Sequence, residues 1–216
     1  MVRKVAVSSF LGNFIEWFDY ASYSYFATTI ALVFFPTDNH TVAMLQTFGV
    51  FALSFILRPI GALFWGSYGD KKGRKAALAH SIMFMSGASF LIGCLPSYSV
   101  IGVGAPILLL LLRMVQGFSA SGEYAGAATF LGEYAPTSKR GIYCSLIPAS
   151  TAIGLLAGST LATLMTANMN SSAMVGWGWR VPFLLAGPLG LIVLYIRAKL
   201  ADSPVYQSMN LSLIHI

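Results

Sequence analysis

Glu16, Asp19, Arg58, Arg113 and Glu123 are ionisable side chains that stand inside long apolar runs of this chain. A charge that faces hydrocarbon costs roughly 2.5–3.5 kcal/mol or more, so each of these groups must meet water or an opposite charge. Glu16 and Asp19 are three residues apart, which puts both carboxylates on one face of a helix. Such a face suits proton carriage. Burial favours the neutral carboxyl and a nearby arginine favours the carboxylate, so a partner that moves can load and release a proton. Counting depth at about 1.5 Å per residue sets Asp19 and Arg113 at one level, and Arg58 with Glu123 in the inner third. The expected pairs are therefore Asp19 with Arg113 and Arg58 with Glu123. The same residues also suit ion pairs that only hold a bundle together, and Arg58, followed at once by Pro59, fits a structural role as well as a functional one.

The elements that must position these groups follow from composition. Hydrophobic residues make up 56% of the 216 and charged residues 9%, a balance that suits a bilayer and excludes an ordinary soluble domain. Six apolar runs, residues 5–35, 43–68, 76–95, 100–130, 142–166 and 181–200, each approach or exceed the ~20 residues a helix needs to cross the hydrocarbon. They are continuous, whereas the strands of a membrane β-barrel would be short and alternating. The first run follows Arg3 and Lys4 like a signal peptide, but Glu16 and Asp19 interrupt it and it is too long for one. It reads as a retained helix. The expected fold is an all-α integral membrane bundle of six transmembrane helices. Gly122 with Gly126, and Gly154 with Gly158, are spaced to let helix backbones approach closely.

Ten of the 13 Lys and Arg lie at the N-terminus, in the second and fourth connections, or after the sixth run. The positive-inside rule then puts both termini in the cytoplasm. The net charge of +6 is a topology signal and gives a nucleic-acid reading no support. Cys94 and Cys144 lie in different apolar runs, which argues against a structural disulfide. Metal-ligand clusters, phosphate-cradling loops and nucleotide motifs are not visible, so no cofactor is expected. An intramembrane serine protease needs a Ser beside Gly and a His on a neighbouring helix. Ser119 precedes Ala120, and His40, His80 and His215 are badly placed, so no enzyme is expected. A six-helix oligomeric channel remains the rival of a different class.

Between the second and third runs stands Gly69-Asp70-Lys71-Lys72-Gly73-Arg74-Lys75, which resembles the loop signature of the major facilitator superfamily. The segments Gly12-Asn13-Phe14-Ile15-Glu16-Trp17-Phe18-Asp19 and Leu57-Arg58-Pro59-Ile60-Gly61 are similar to the first two helices of its metabolite:proton symporter branch. Arg113-Met114-Val115-Gln116-Gly117 with Gly122-Glu123-Tyr124, Glu133-Tyr134-Ala135-Pro136 with Lys139-Arg140-Gly141, and Trp177-Gly178-Trp179-Arg180-Val181-Pro182 continue the likeness. Lys71 and Lys75 replace the family's usual Arg, and Ser121 its Gly.

The resemblance implies the N-terminal half of a twelve-helix transporter, itself built as a 3+3 inverted repeat, in a bacterial inner membrane. It implies a small polar solute and a proton as partners, the solute being an osmoprotectant such as proline or betaine, or a dicarboxylate. Glu16, Asp19, Arg113 and Glu123 would serve proton coupling, with Arg113 as the charge partner of the acids. Gly69, Asp70, Gly73, Arg74, Glu133 and Arg140 would form a cytoplasmic gate. Residues 1–200 are expected to form the bundle and 201–210 to begin a central linker. Leu211-Ser212-Leu213-Ile214-His215-Ile216 reads like translated sequencing adapter, so 211–216 is expected to be a non-native tail and the second half to be missing. A fragment of this kind would not transport alone.

The topology can be checked directly. A cysteine substituted at Thr37 is expected to react with a membrane-impermeant maleimide in intact cells, and one at Lys72 only after lysis; the reverse pattern would invert the orientation.

Overall fold

The computed structural model describes residues 2–201; the expected linker beyond Ala201 and the tail at 211–216 lie outside them. The first apolar run folds as α1 (Val2–Tyr25) and α2 (Ala27–Phe34), with a break at Phe26. The second folds as α3 (His40–Ile56) and α4 (Arg58–Lys72), broken at Leu57. After α5 (Arg74–Cys94), the short α6 (Tyr98–Ile101) leads into α7 (Gly104–Tyr134). A 3-10 turn and α8 (Arg140–Cys144) precede α9 (Leu146–Asn168); α10 (Ser171–Gly176) and a second 3-10 turn precede α11 (Val181–Ala198).

Local chemistry explains the punctuation. Asn39 caps α3, its side chain accepting from the amides of Thr41 and Val42 at 3.0 and 3.3 Å. Pro59 sits in the first turn of α4, where its missing N–H costs least. The connection between α4 and α5 is the single residue Gly73, whose φ of 101° is open to glycine and strained for other residues. Arg180 donates to the carbonyls of Gly93 and Leu95 at 2.9 and 2.5 Å, so the lone cation of the last loop closes the C-terminal end of α5.

Five stretches among the described residues are long and apolar enough to cross a bilayer: His40–Lys72, Arg74–Cys94, Gly104–Tyr134, Thr137–Asn168 and Gly178–Ala198. The first run has comparable length, 24 residues in α1 and eight in α2, but α1 lacks the apolarity. The reason is its position. α1 packs along α9 and against α11 and α7, and Ser8, Ser9, Asn13, Glu16, Asp19 and Ser22 are all buried there. A helix surrounded by helices can be polar where one facing lipid cannot.

The apolar core falls into three layers. Phe34, Ile92, Leu109, Trp179 and Phe183 fill the end near Pro36. Ile15, Ile82, Met85, Ala186 and Val193 form the middle, and Val5, Leu78, Phe130, Leu131 and Ile147 fill the end near Gly73. The small residues act as expected. A Cβ at Gly154 would stand 2.8 Å from the Phe14 carbonyl oxygen and one at Gly158 2.6 Å from the Ala21 Cβ, so α9 lies directly on α1. Gly122 and Gly126 serve different neighbours, Trp65 of α4 at 2.8 Å and Leu78 of α5 at 3.1 Å. A Cβ on Gly117 would overlap the Ser54 carbonyl of α3.

Gly117→Ala is therefore expected to destabilise the bundle by about 1–3 kcal/mol in reversible unfolding from mixed micelles. Gly66→Ala, whose new methyl meets nothing within 4 Å, is expected to be neutral or to stabilise by up to about 1 kcal/mol.

Candidate functional site

Arg113, in the first third of α7, has no exposed surface, and Asp19 of α1 is 5% exposed. Arg113 Nη1 donates to Asp19 Oδ2 at 2.6 Å, as the depth count predicted. The other carboxylate oxygen accepts from Ser89 of α5 at 2.9 Å and from Gln116, one turn along α7, at 3.1 Å. Gln116 also donates to the Ser89 hydroxyl. Tyr23, one turn beyond Asp19, lays its ring 3.9 Å from the guanidinium carbon and anchors itself on the Thr47 carbonyl at 2.9 Å. Phe183 of α11 and Phe51 of α3 complete an aromatic surround. Both Asp19 oxygens are satisfied, whereas Arg113 Nε and Nη2 are buried without partners. Protonating Asp19 would remove its charge and leave Arg113 buried and unpaired, a state costing several kcal/mol unless Arg113 moves or an anionic or polar ligand arrives. This geometry can therefore couple proton binding to movement.

Glu16 does not share that arginine. Its Oε1 accepts from Arg58 Nη2 at 2.5 Å, and the same nitrogen lies 2.5 Å from the Tyr20 hydroxyl. The expected pairing of Arg58 with Glu123 is thus corrected. Arg58 begins α4, near the middle of the His40–Lys72 stretch, at the break that presents it toward α1. Its guanidinium lies over the rings of Phe55 and Tyr20 at 4.7 and 5.1 Å. The Arg58 side chain is 27% exposed and that of Glu16 2%.

Glu123 pairs instead with Arg197 of α11. The fork is bidentate: Nη2 donates to Oε1, and Nη1 to Oε2 at 2.9 Å. Ser81 of α5 adds a bond at 3.2 Å, while Arg197 also donates to the carbonyls of Leu78 and Ser8 at 2.5 and 3.3 Å. Gly12 leaves room for the pair, since a Cβ there would overlap both the Glu123 carboxylate and Arg197. Read from sequence as a flanking cation, Arg197 is 1% exposed. The missed signal is its spacing from the end of the sixth run: two residues inside Lys199, it still lies on the helix. Nothing in the sequence marks Asn13 as a site residue, yet its amide nitrogen reaches Ile147 O, Ser150 Oγ and Thr151 Oγ1 at 3.0, 2.8 and 2.9 Å, tying α1 to α9.

At the Gly73 end, Arg74 Nη2 meets Asp70 Oδ1 at 3.0 Å across the turn, and its Nε lies 3.9 Å from Glu133 Oε1 near the end of α7. Gly69 is buried beside Ala77 and Arg74, with 3.4 Å left for a Cβ. Five of the six expected gate residues thus come together. Arg140, at the start of α8, is exposed and makes no ion pair with a described residue. Ser121 returns its hydroxyl to the Phe118 carbonyl at 2.6 Å and abuts Gly61 of α4.

A family model described as sugar (and other) transporter matches residues 4–213. The chain belongs to this family of the major facilitator superfamily. It is 43% identical over 206 residues to a proline/betaine transporter of Salmonella typhimurium, covering 95% of this chain and 41% of that protein. A glycine betaine/proline/ectoine/pipecolic acid transporter of Dickeya dadantii gives the same identity and coverage. The chain thus spans less than half the length of these relatives. The fold is similar to the partially occluded inward open conformation of the xylose transporter XylE from E. coli, with a TM-score of 0.86 over 97% of this chain and 50% of that one, at 17% identity. As a member of this transporter family with several membrane-length apolar helices, the chain is a multi-pass membrane protein and the N-terminal half of the major facilitator fold.

In this family member the Glu123–Arg197 pair joins α7 to α11, with further bonds to α1 and α5. Removing one partner leaves the other buried and uncompensated, so Glu123→Ala is expected to destabilise the folded bundle by about 3–5 kcal/mol. Glu123→Leu with Arg197→Met together should lose less than either change alone, as a double-mutant cycle in mixed micelles would show.

Proposed function

We propose that the protein is a proton-coupled symporter of small polar solutes, with osmoprotectants of the proline and betaine class as its first candidates and dicarboxylates as the second. The observation that carries the reading is the Asp19–Arg113 pair: a carboxylate and a guanidinium, both buried, 2.6 Å apart on the first and fourth spans. In this reading Asp19 takes a proton, Arg113 is released, and the freed guanidinium changes how α1, α5 and α7 pack. The names of the relatives supply the solute class.

In the same reading the bundle works with a second six-helix half, the solute binding between them near midplane while the halves rock. The Gly73 end is cytoplasmic, as are both termini. There Asp70, Arg74 and Glu133, with Gly69 and Gly73 shaping the turn, form the gate. Asp70 is 65% exposed and can reach a partner half, while Arg74, itself steadied by Glu133, holds it in place. Arg140 joins the gate only if α8 moves toward it. Glu16 is a second proton carrier, and Glu123, enclosed by Arg197, holds the scaffold.

The test is Asp19→Asn in the protein expressed from its own gene and reconstituted into liposomes. Proton-gradient-driven accumulation of glycine betaine should fall to background while exchange of labelled for unlabelled solute persists. Gradient-driven accumulation at the wild-type level in the variant would remove Asp19 from proton coupling.

A further inference from the structure

The Glu16–Arg58 pair differs from the other two membrane-embedded ion pairs in ways that bear on ligands. Arg113 and Arg197 are sealed from solvent, but the Arg58 side chain is 27% exposed. A guanidinium that is partly exposed in mid-span cannot face lipid without a large cost, so its open side calls for water, a polar ligand or the second half of the transporter. Its hydrogen bonds are lopsided: both contacts, to Glu16 and to Tyr20, fall on Nη2. Nε is buried without a partner, and Nη1 makes no hydrogen bond with any described residue. Glu16 is equally lopsided, with Oε1 on Arg58 and Oε2 buried and unpartnered. A guanidinium has donors for a bidentate anion, and here the native carboxylate uses only one corner.

We propose that Arg58 receives the carboxylate of a small carboxylated solute in place of Glu16, and that Glu16 takes up a proton as it gives way. The charges balance. Before exchange, guanidinium and Glu16 carboxylate sum to zero. After it, the solute carboxylate neutralises Arg58, and Glu16 has become a neutral carboxyl by accepting a proton from cavity water. No covalent bond forms or breaks apart from that O–H. Admitting the anion without the proton would leave two carboxylates on one arginine in a desolvated site. Phe55, whose ring lies against the Arg58 guanidinium, is 39% exposed and supplies an aromatic surface for the cationic nitrogen of a zwitterion.

The surroundings leave Glu16 as the group that responds. Tyr20 faces it from its own helix and Arg58 from α4. Asp19 of α1 is held by Arg113 of α7, and Glu123 of α7 by Arg197 of α11. α9 contains no charged residue, and α5 carries Arg74, Lys75 and His80 in its first two turns, at the Gly73 end, and Cys94 at its opposite end. The second span breaks at Leu57, immediately before Arg58, and Pro59 has no N–H to offer the Phe55 carbonyl. Broken helices at midplane are where irregular backbone and ligand groups meet.

This inference rests on the transport reading for the presence of a solute cavity, but binding tests it separately. Labelled glycine betaine is titrated into the detergent-purified protein in weak buffer with a pH indicator, with choline, which lacks the carboxylate, as competitor. The wild type is expected to bind betaine with uptake of about one proton per ligand, and choline is expected not to displace it. Glu16→Gln, which keeps size and an oxygen for Arg58 but no charge, should bind several-fold tighter with no proton uptake. Arg58→Gln should bind at least about tenfold weaker. The proposal fails if the wild type binds neither betaine nor proline, or if choline competes as well as betaine. It also fails if proton uptake is unchanged in Glu16→Gln. Because Arg58→Gln can weaken the fold, the gain in affinity of Glu16→Gln decides the matter. A protein that accumulates betaine on a proton gradient yet shows unaltered binding in Glu16→Gln keeps the transport reading and loses this one. A protein that binds betaine with proton uptake but accumulates nothing does the opposite.

Discussion

A guanidinium with no exposed surface must have its charge answered within the protein, and the bundle is arranged around two such groups, Arg113 and Arg197. Each sits where several helices meet. Arg113 brings α7 to the carboxylate of α1, with Ser89 of α5 and the rings of Tyr23, Phe51 and Phe183 closing the site. Arg197 brings α11 to the carboxylate of α7 and to carbonyls on α1 and α5. Neither arginine could be accommodated if its helix rotated by a single residue, because the charge would then face apolar side chains or lipid. These pairs are weak sources of net stability, since desolvation offsets much of the attraction. Their effect is to penalise every other packing of the same helices.

That constraint works together with close approach. α9 reaches α1 through Gly154 and Gly158, and α7 reaches α3 and α4 through Gly117 and Gly122. Where side chains are this small, the backbones are near enough for Asn13 to bond three acceptors on α9. Lipid offers little hydrophobic drive for helix association, so packing and polar contacts must supply it. α1 is the helix on which both depend. Its polarity, which sets it apart from the five apolar stretches, is what fits it for an interior position.

The three membrane-embedded acids divide by access. Glu123 is enclosed by a bidentate arginine and a serine, with both oxygens occupied. Asp19 is also fully bonded, but its arginine keeps two unpartnered nitrogens, so the pair has somewhere to go when its charge changes. Glu16 has one oxygen free and a partner whose side chain is 27% exposed. The order from Glu123 to Asp19 to Glu16 is one of increasing freedom to exchange partners, and it matches the scaffold and proton-coupling roles of the proposed function and the ligand exchange inferred for Glu16.

Much of this was legible in the residues themselves. The apolar runs gave the spans, because the length needed to cross a bilayer is fixed by helix rise and hydrocarbon thickness. Matching depth alone found the Asp19–Arg113 pair, and the spacing of Gly154 and Gly158 marked a helix contact. Rotation about the helix axes was not legible. Depth counting gives height but not azimuth, so it assigned Arg58 to Glu123 when the break at Leu57 turns Arg58 toward Glu16. It also left Arg197 among the flanking cations, although the helix continues past it and Gly12 leaves space for its head group. The sequence by itself determined which stretches are apolar enough to lie in a bilayer and that Glu16, Asp19, Arg58, Arg113 and Glu123 within them need partners, since burial in lipid follows from composition. Only the tertiary structure decided which charge meets which, because that depends on helix rotation and neighbour order, set by the packing of small residues far apart along the chain.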